Sequence, residues 1–241
     1  MTYCVGLLVD TGLVLLSDSR TNAGVDQINT FRKMATFVLP GERALVLLSA
    51  GNLAITQAVI NLLHETPNDK EPARIYRVKN LFDAARVVGD ALREIHDRDA
   101  EALDKQGHEF NATFILGGQI RGEPPRLFNI YSAGNFIEST MDTNYFQIGE
   151  SKYGKPIIDR VVSRSSSLAQ ASKCALVSMD STMRSNLSVG PPLDLAIIRR
   201  DELTLHTHLS IDTSHPYFAM IRTRWGAALK EVFSELPDPK W

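Results

Sequence analysis

Residues 3–9 (YCVGLLV) and 13–16 (LVLL) are apolar at almost every position. A strand that wets one face alternates apolar with polar residues, so runs of this kind must be covered on both faces. Asp10-Thr11-Gly12 between them supplies turn chemistry and predicts a hairpin. Residues 31–39 (FRKMATFVL) and 43–50 (RALVLLSA) predict a second hairpin around Pro40-Gly41-Glu42. Helices must provide the cover. Residues 52–65 and 80–103 carry apolar residues at three- and four-residue spacing, with Asn80 as an N-cap. A polar loop with two prolines (66–79) separates them. Strands follow at 111–119, 126–132 and 144–148, then helices at about 155–163 and 166–183, a hairpin at 193–199 and 203–211, and a helix at 217–236. Strands that come in hairpins, with helices in consecutive pairs, predict an α+β chain of two packed antiparallel sheets with helices outside. No repeat, low-complexity segment or linker interrupts the order, so 1–241 reads as one domain.

Composition removes whole classes of function. The chain is 44% hydrophobic and 22% charged, as soluble globular proteins are. A net charge of −2 gives no basic field for nucleic acid or an anionic membrane. No apolar run reaches the length of a membrane span. The first ten residues lack a basic leader region and Asp10 breaks their apolar run, which points to the cytoplasm. Cys4 and Cys174 form no C-x-x-C pattern and read as small buried hydrophobes. GESKYGK (149–155) matches most of a phosphate-binding G-x-x-x-x-G-K loop, but Pro156 stands where a magnesium-binding hydroxyl is required. His206, His208 and His215 have no accompanying carboxylate motif and read as solvated or interface residues. The closing helix with Trp225 and Phe233 reads as core or subunit contact. Neither a metal nor a cofactor is expected.

The chemistry lies at the start. A two- or three-residue loop at 10–12 makes strand partners sum to about 21 or 22. Thr2 then lies opposite Ser19 or Arg20, beside Asp18. Asp18 shares a face with Val14 and Leu16, where an ionised carboxylate is costly unless paired. Lys33 shares a face with Phe31, Ala35 and Phe37, and needs a partner or must surrender its charge. The two read as halves of one buried ion pair. Met1 precedes a small residue, the context in which aminopeptidases trim methionine. Trimming leaves Thr2 with a free α-amine, of ordinary pKa roughly 7.7–8.0, able to act as base for the hydroxyl of the same residue. Lys33 would depress that amine and Asp18 would orient Lys33. Gly51, ending Ser49-Ala50-Gly51 just before a helix, is the candidate oxyanion donor. From the pattern alone, Lys33 snorkelling to an edge and Asp18 capping a turn stand as the structural alternative.

These residues resemble a known family. The opening TYCVGLLVDTGLVLLSDSRTNAG, with Asp18-Ser19-Arg20-Thr21-Asn22-Ala23-Gly24, is similar to the start of proteasome β subunits and the bacterial protease HslV. Lys33 and the LLSAGNLA stretch at Gly51 continue the likeness. SMDSTMRSNLSVGPPLDLAII and the long closing segment resemble most closely the bacterial Anbu (ancestral β-subunit) proteins. The resemblance implies a four-layer αββα sandwich and an N-terminal nucleophile hydrolase acting on peptide bonds, with Thr2 as nucleophile and base. It further implies Asp180 as support for the amine, with Ser188, or Ser185 as second choice, beside it. The family's Gly-Ser-Gly site reads Gly149-Glu150-Ser151 here, a glutamate in place of a serine that helps the nucleophile. It also implies self-assembly into a ring or an open helix, a peptide or unfolded-protein substrate, and an accessory ATPase as a possible partner.

Overall fold

The computed structural model describes residues 1–23, 27–66 and 71–241. Gly24 of the opening motif and residues 67–70 of the expected polar loop lie outside them. Among the described residues the strands are β1 (Tyr3–Val9), β2 (Gly12–Asp18), β3 (Arg20–Ala23), β4 (Gln27–Thr30), β5 (Met34–Leu39), β6 (Arg43–Gly51), β7 (Ala112–Ile120), β8 (Arg126–Ile130), β9 (Phe136–Glu138), β10 (Tyr145–Gly149), β11 (Leu193–Arg199) and β12 (Thr207–Ile211). The α-helices are α1 (Leu53–His64), α2 (Leu81–Lys105), α3 (Ser151–Val161), α4 (Leu168–Ser185) and α5 (Pro216–Glu235).

Two five-stranded antiparallel sheets result, ordered β10-β1-β2-β11-β12 and β5-β6-β7-β8-β9. Every residue of β1 and β2 is buried, as their unbroken apolar runs require. One face of the first sheet, through Val5, Leu7, Val14 and Leu16, packs under α3, α4 and α5. Its other face, through Cys4, Leu13 and Leu15, meets Val46, Leu48 and Ile115 of the second sheet. The outer face of the second sheet, through Phe37, Leu45 and Phe114, packs under α1 and α2. The layers are therefore helices, sheet, sheet, helices, and the expected αββα sandwich is what forms.

The first hairpin has the expected register: Cys4 faces Ser17 and Val9 faces Gly12 across a two-residue turn. Asn80 caps α2 by accepting from the Asp83 amide. The sequence reading missed the short β3–β4 hairpin and β9, both too polar or too short to show a period. The helix expected from about 155 starts at Ser151, with Pro156 inside it, so all but the first two residues of the stretch resembling a phosphate loop are helical. The last strand starts at Thr207, not 203. The strand expected from Phe31 starts at Met34. Along α5, Phe218 and Ile221 are buried while Leu229, Val232 and Phe233 are exposed. Among the described residues no helix is long and apolar enough to cross a membrane.

Candidate active site

The late start of β5 changes how the ion pair forms. Strict alternation would send Asp18 with Leu16 toward one helical layer and Lys33 with Phe37 toward the other, on opposite sides of the sandwich. Lys33 instead precedes β5, its carbonyl accepting from the Ser49 amide, and its side chain turns toward the end of β2. Its Nζ donates to Asp18 Oδ1 at 2.7 Å and to the Arg20 carbonyl at 2.7 Å. Both side chains are buried, at 7% and 0% exposure. The sequence-level inference of a buried pair holds, although its face-sharing argument does not.

Asp18 ties this pair to the chain's opening. Its Oδ1 also accepts from the Tyr3 amide at 3.1 Å, one residue beyond Thr2. Its Oδ2 accepts from the Gly190 amide at 3.3 Å. Burial pushes the Asp18 carboxyl upward, and the Lys33 ammonium and the two amide donors work against that rise. Cys4 neighbours the pair. Burial first, and then the Asp18 charge, push its thiol upward, so it stays protonated and does not compete as a nucleophile.

Thr2 lies just before β1, at the rim of a cleft of about 440 Å³ that Met1, Ala50, Gly51, Asn111, Thr113, Gly149 and Glu150 also line. The Glu150 amide donates to the Thr2 carbonyl at 2.7 Å. Gly149 makes that approach possible. Its φ is +81°, and a Cβ there would sit 2.0 Å from the Thr2 oxygen. Gly51, with φ of +115°, lines the same cleft as Thr2, and a Cβ on it would meet the Asn111 carbonyl at 2.3 Å. Asn52 caps α1 immediately beyond, accepting from the Ala54 amide.

Ser188 sits in the segment that clasps the end of β2. Its amide donates to Asn186 Oδ1 at 2.9 Å, Arg20 donates to the Leu187 carbonyl at 2.7 Å, and Gly190 reaches Asp18. Asp180 is fully buried on α4, and its ion-pair partners among the described residues are Arg184 at 3.0 Å and Arg222 of α5 at 3.3 Å. The structure thus brings Thr2 and Gly51 to one cleft and gathers Asp18, Lys33 and the 187–190 segment behind it, while Asp180 joins α4 to α5. Ser178, two residues earlier on α4, is the side chain that reaches the opening strand, 3.0 Å from the Tyr3 hydroxyl.

Sequence reasoning missed Gly190, Asn111, Thr113 and Ser178. For Gly190 the only signal was its place before Pro191-Pro192, which marks a turn and not a ligand of Asp18. The other three become neighbours of the opening residues only through packing.

Two antiparallel sheets between helical layers, with the opening strand running out to a cleft, are the sandwich of proteasome-like N-terminal nucleophile proteins. No family model and no curated protein match the chain at significance. Solved structures do. Anbu from Yersinia bercovieri is 53% identical, with 99% of each chain covered and a TM-score of 0.92. A Gly-1 mutant of Anbu from Hyphomicrobium sp. strain MC1 is 47% identical over 100% of both chains, with a TM-score of 0.91. The Anbu complex from Pseudomonas aeruginosa, described as a helical assembly, is 47% identical over 99% of this chain and 98% of that one, with a TM-score of 0.92. The chain belongs to the Anbu (ancestral β-subunit) family.

Proposed function

We propose that residues 1–241 fold as one unit which, once Met1 is removed, is a self-assembling threonine hydrolase acting on peptide bonds without a cofactor. One observation carries the reading: Asp18 Oδ1 accepts at once from Lys33 Nζ and from the Tyr3 amide, which joins the buried pair to the residue after the nucleophile. The Thr2 hydroxyl gives its proton to the Thr2 α-amine, and its oxygen attacks the scissile carbonyl. Lys33 keeps a useful fraction of that amine neutral by charge repulsion, and Asp18 holds Lys33 in place. The Gly51 amide, at the mouth of α1, stabilises the oxyanion. Collapse of the intermediate breaks the C–N bond, and the leaving amine takes the proton from the Thr2 ammonium. Water then attacks the ester, losing its proton to the amine, and the acid departs as the Thr2 hydroxyl is restored. Ser188 supports the pair from the 187–190 segment. Asp180 acts at a distance, by anchoring α4, whose Ser178 holds Tyr3.

The substrate class is a peptide or an unfolded protein, in the cytoplasm, with an accessory ATPase as the partner that would deliver it. Copies assemble through heterologous interfaces into a ring or an open helix; the helical assembly of the Pseudomonas aeruginosa relative supports this. Intact-protein mass combined with a threonine-directed electrophile tests the reading. The expected result is a chain lacking Met1 that carries one adduct on Thr2, and no adduct on Thr2→Ala. A retained methionine, or labelling that ignores Thr2, would overturn it. A second reading has its own observation. Glu150 occupies the position of a serine that helps the nucleophile, which favours a scaffold of weak or lost peptidase power. Hydrolysis of a side-chain or γ-glutamyl amide by the same nucleophile is the related enzymatic alternative.

A further inference from the structure

Glu150 is the only charged side chain among the described residues that line the Thr2 cleft. Its side chain is 10% exposed, and no described hydrogen bond reaches its carboxylate. The nearest cation, Lys152 Nζ, stands 3.6 Å from Oε2, on a side chain that is 69% exposed and also lies over the Tyr153 ring. An exposed lysine at that distance offsets little of the cost of a mostly buried carboxylate. Lys33, the buried cation of the ion pair, is already committed to Asp18 and the Arg20 carbonyl. Asn111 and Thr113 line the same cleft and add polar oxygens. Beyond the Thr2 α-amine that the mechanism uses, the cleft therefore holds an under-served anion and neutral polar groups, and no side-chain cation to balance it.

We propose that Glu150 is a specificity-determining residue that selects substrates carrying a cationic group, a lysine or arginine side chain, next to the bond that Thr2 attacks. The inference rests on the threonine-hydrolase reading and names its substrate class. The cation supplies the donors that the carboxylate lacks, and the charge-assisted bond forms where solvent is partly excluded. The backbone sets the geometry. The Glu150 amide is fixed to the Thr2 carbonyl, so the backbone that bears its carboxylate is held beside the nucleophile. Because that anchor is an amide, substitution of the side chain leaves it in place. A cation held there is bound alike in ground state and transition state, so the preference is expressed mainly in KM.

The test uses the full-length, methionine-trimmed assembly and matched fluorogenic peptide amides with arginine, norleucine or glutamate at the residue donating the scissile carbonyl. Arginine is expected to exceed norleucine by about tenfold in kcat/KM, with most of the difference in KM. In Glu150→Gln the arginine-to-norleucine ratio should fall to within about twofold, and in Glu150→Lys the order of arginine and glutamate should reverse. Turnover that requires Thr2 yet shows no such preference would overturn the inference and leave the hydrolase reading standing. If no peptide is turned over, the hydrolase reading falls, and binding decides the inference by itself. Fluorescence anisotropy of labelled arginine and norleucine peptides on Thr2→Ala should then show tighter arginine binding, lost in Thr2→Ala/Glu150→Gln. Equal affinities would overturn it.

Discussion

Asp18 gathers three donors: Lys33 Nζ and the Tyr3 amide on one oxygen, the Gly190 amide on the other. Removing the one charged donor leaves an uncompensated carboxylate in a fully buried position. Lys33→Met, which keeps the stem's volume, should therefore cost about 3–5 kcal/mol of stability, read from urea unfolding. It should also abolish Thr2-dependent turnover, because the amine loses its tuning charge. The cost should depend on pH in a definite sense. Burial already pushes the Asp18 carboxyl upward, and loss of Lys33 removes the largest force opposing the rise. A carboxyl whose folded pKa lies above its unfolded value contributes stability at low pH that is lost as pH rises through the folded value. The Lys33→Met deficit should thus be smaller near pH 5 than near pH 8. A deficit independent of pH would mean that Asp18 does not carry the charge.

At the scale of elements, the site depends on where strands and helices stop. β10 ends at Gly149, whose left-handed backbone lets the next amide bond Thr2. α4 is held at its start by a capping box, Ser167 accepting from the Gln170 amide while Gln170 accepts from the Ser167 amide. That helix then carries Ser178 to Tyr3 and Asp180 to Arg222. Ser167→Ala should cost about 1 kcal/mol, or about 2–4 °C of Tm in a chain of this length. Thr2 labelling should be retained in that variant, since Ser167 lies at the far end of α4 from Ser178. A loss of labelling would show that the helix start, and not only its middle, governs the cleft.

For the whole molecule, the proposed chemistry lies in an interior pair and one cleft. The pair is enclosed within the sandwich, and truncating the Thr2 hydroxyl changes no surface beyond the cleft. The native mass of the wild-type protein should be a large multiple of the 26.7 kDa chain, and Thr2→Ala should give the same multiple by light scattering. A monomeric Thr2→Ala would mean that the nucleophile also takes part in an interface.

Much of this protein is legible in its residues because the signals are local. Unbroken apolar runs in β1, β2 and β6 require two covered faces, the turn at Asp10-Thr11 sets the first register, and Asn80 marks where α2 begins. Thr2 could be singled out by its place after Met1, Asp18 and Lys33 as charges in apolar surroundings, and Gly51 by its place between a strand and a helix. Polar β3 and β4 and three-residue β9 have no period to read, and only their neighbours hold them in place. The convergence of residues far apart in the chain was decided by the tertiary structure: Gly190 on Asp18, Ser178 on Tyr3, Glu150 on Thr2. Local patterning reports what a segment must bury. It carries no information on which distant backbone amide will meet a given carboxylate, since that follows from how two sheets and their helices close on one another.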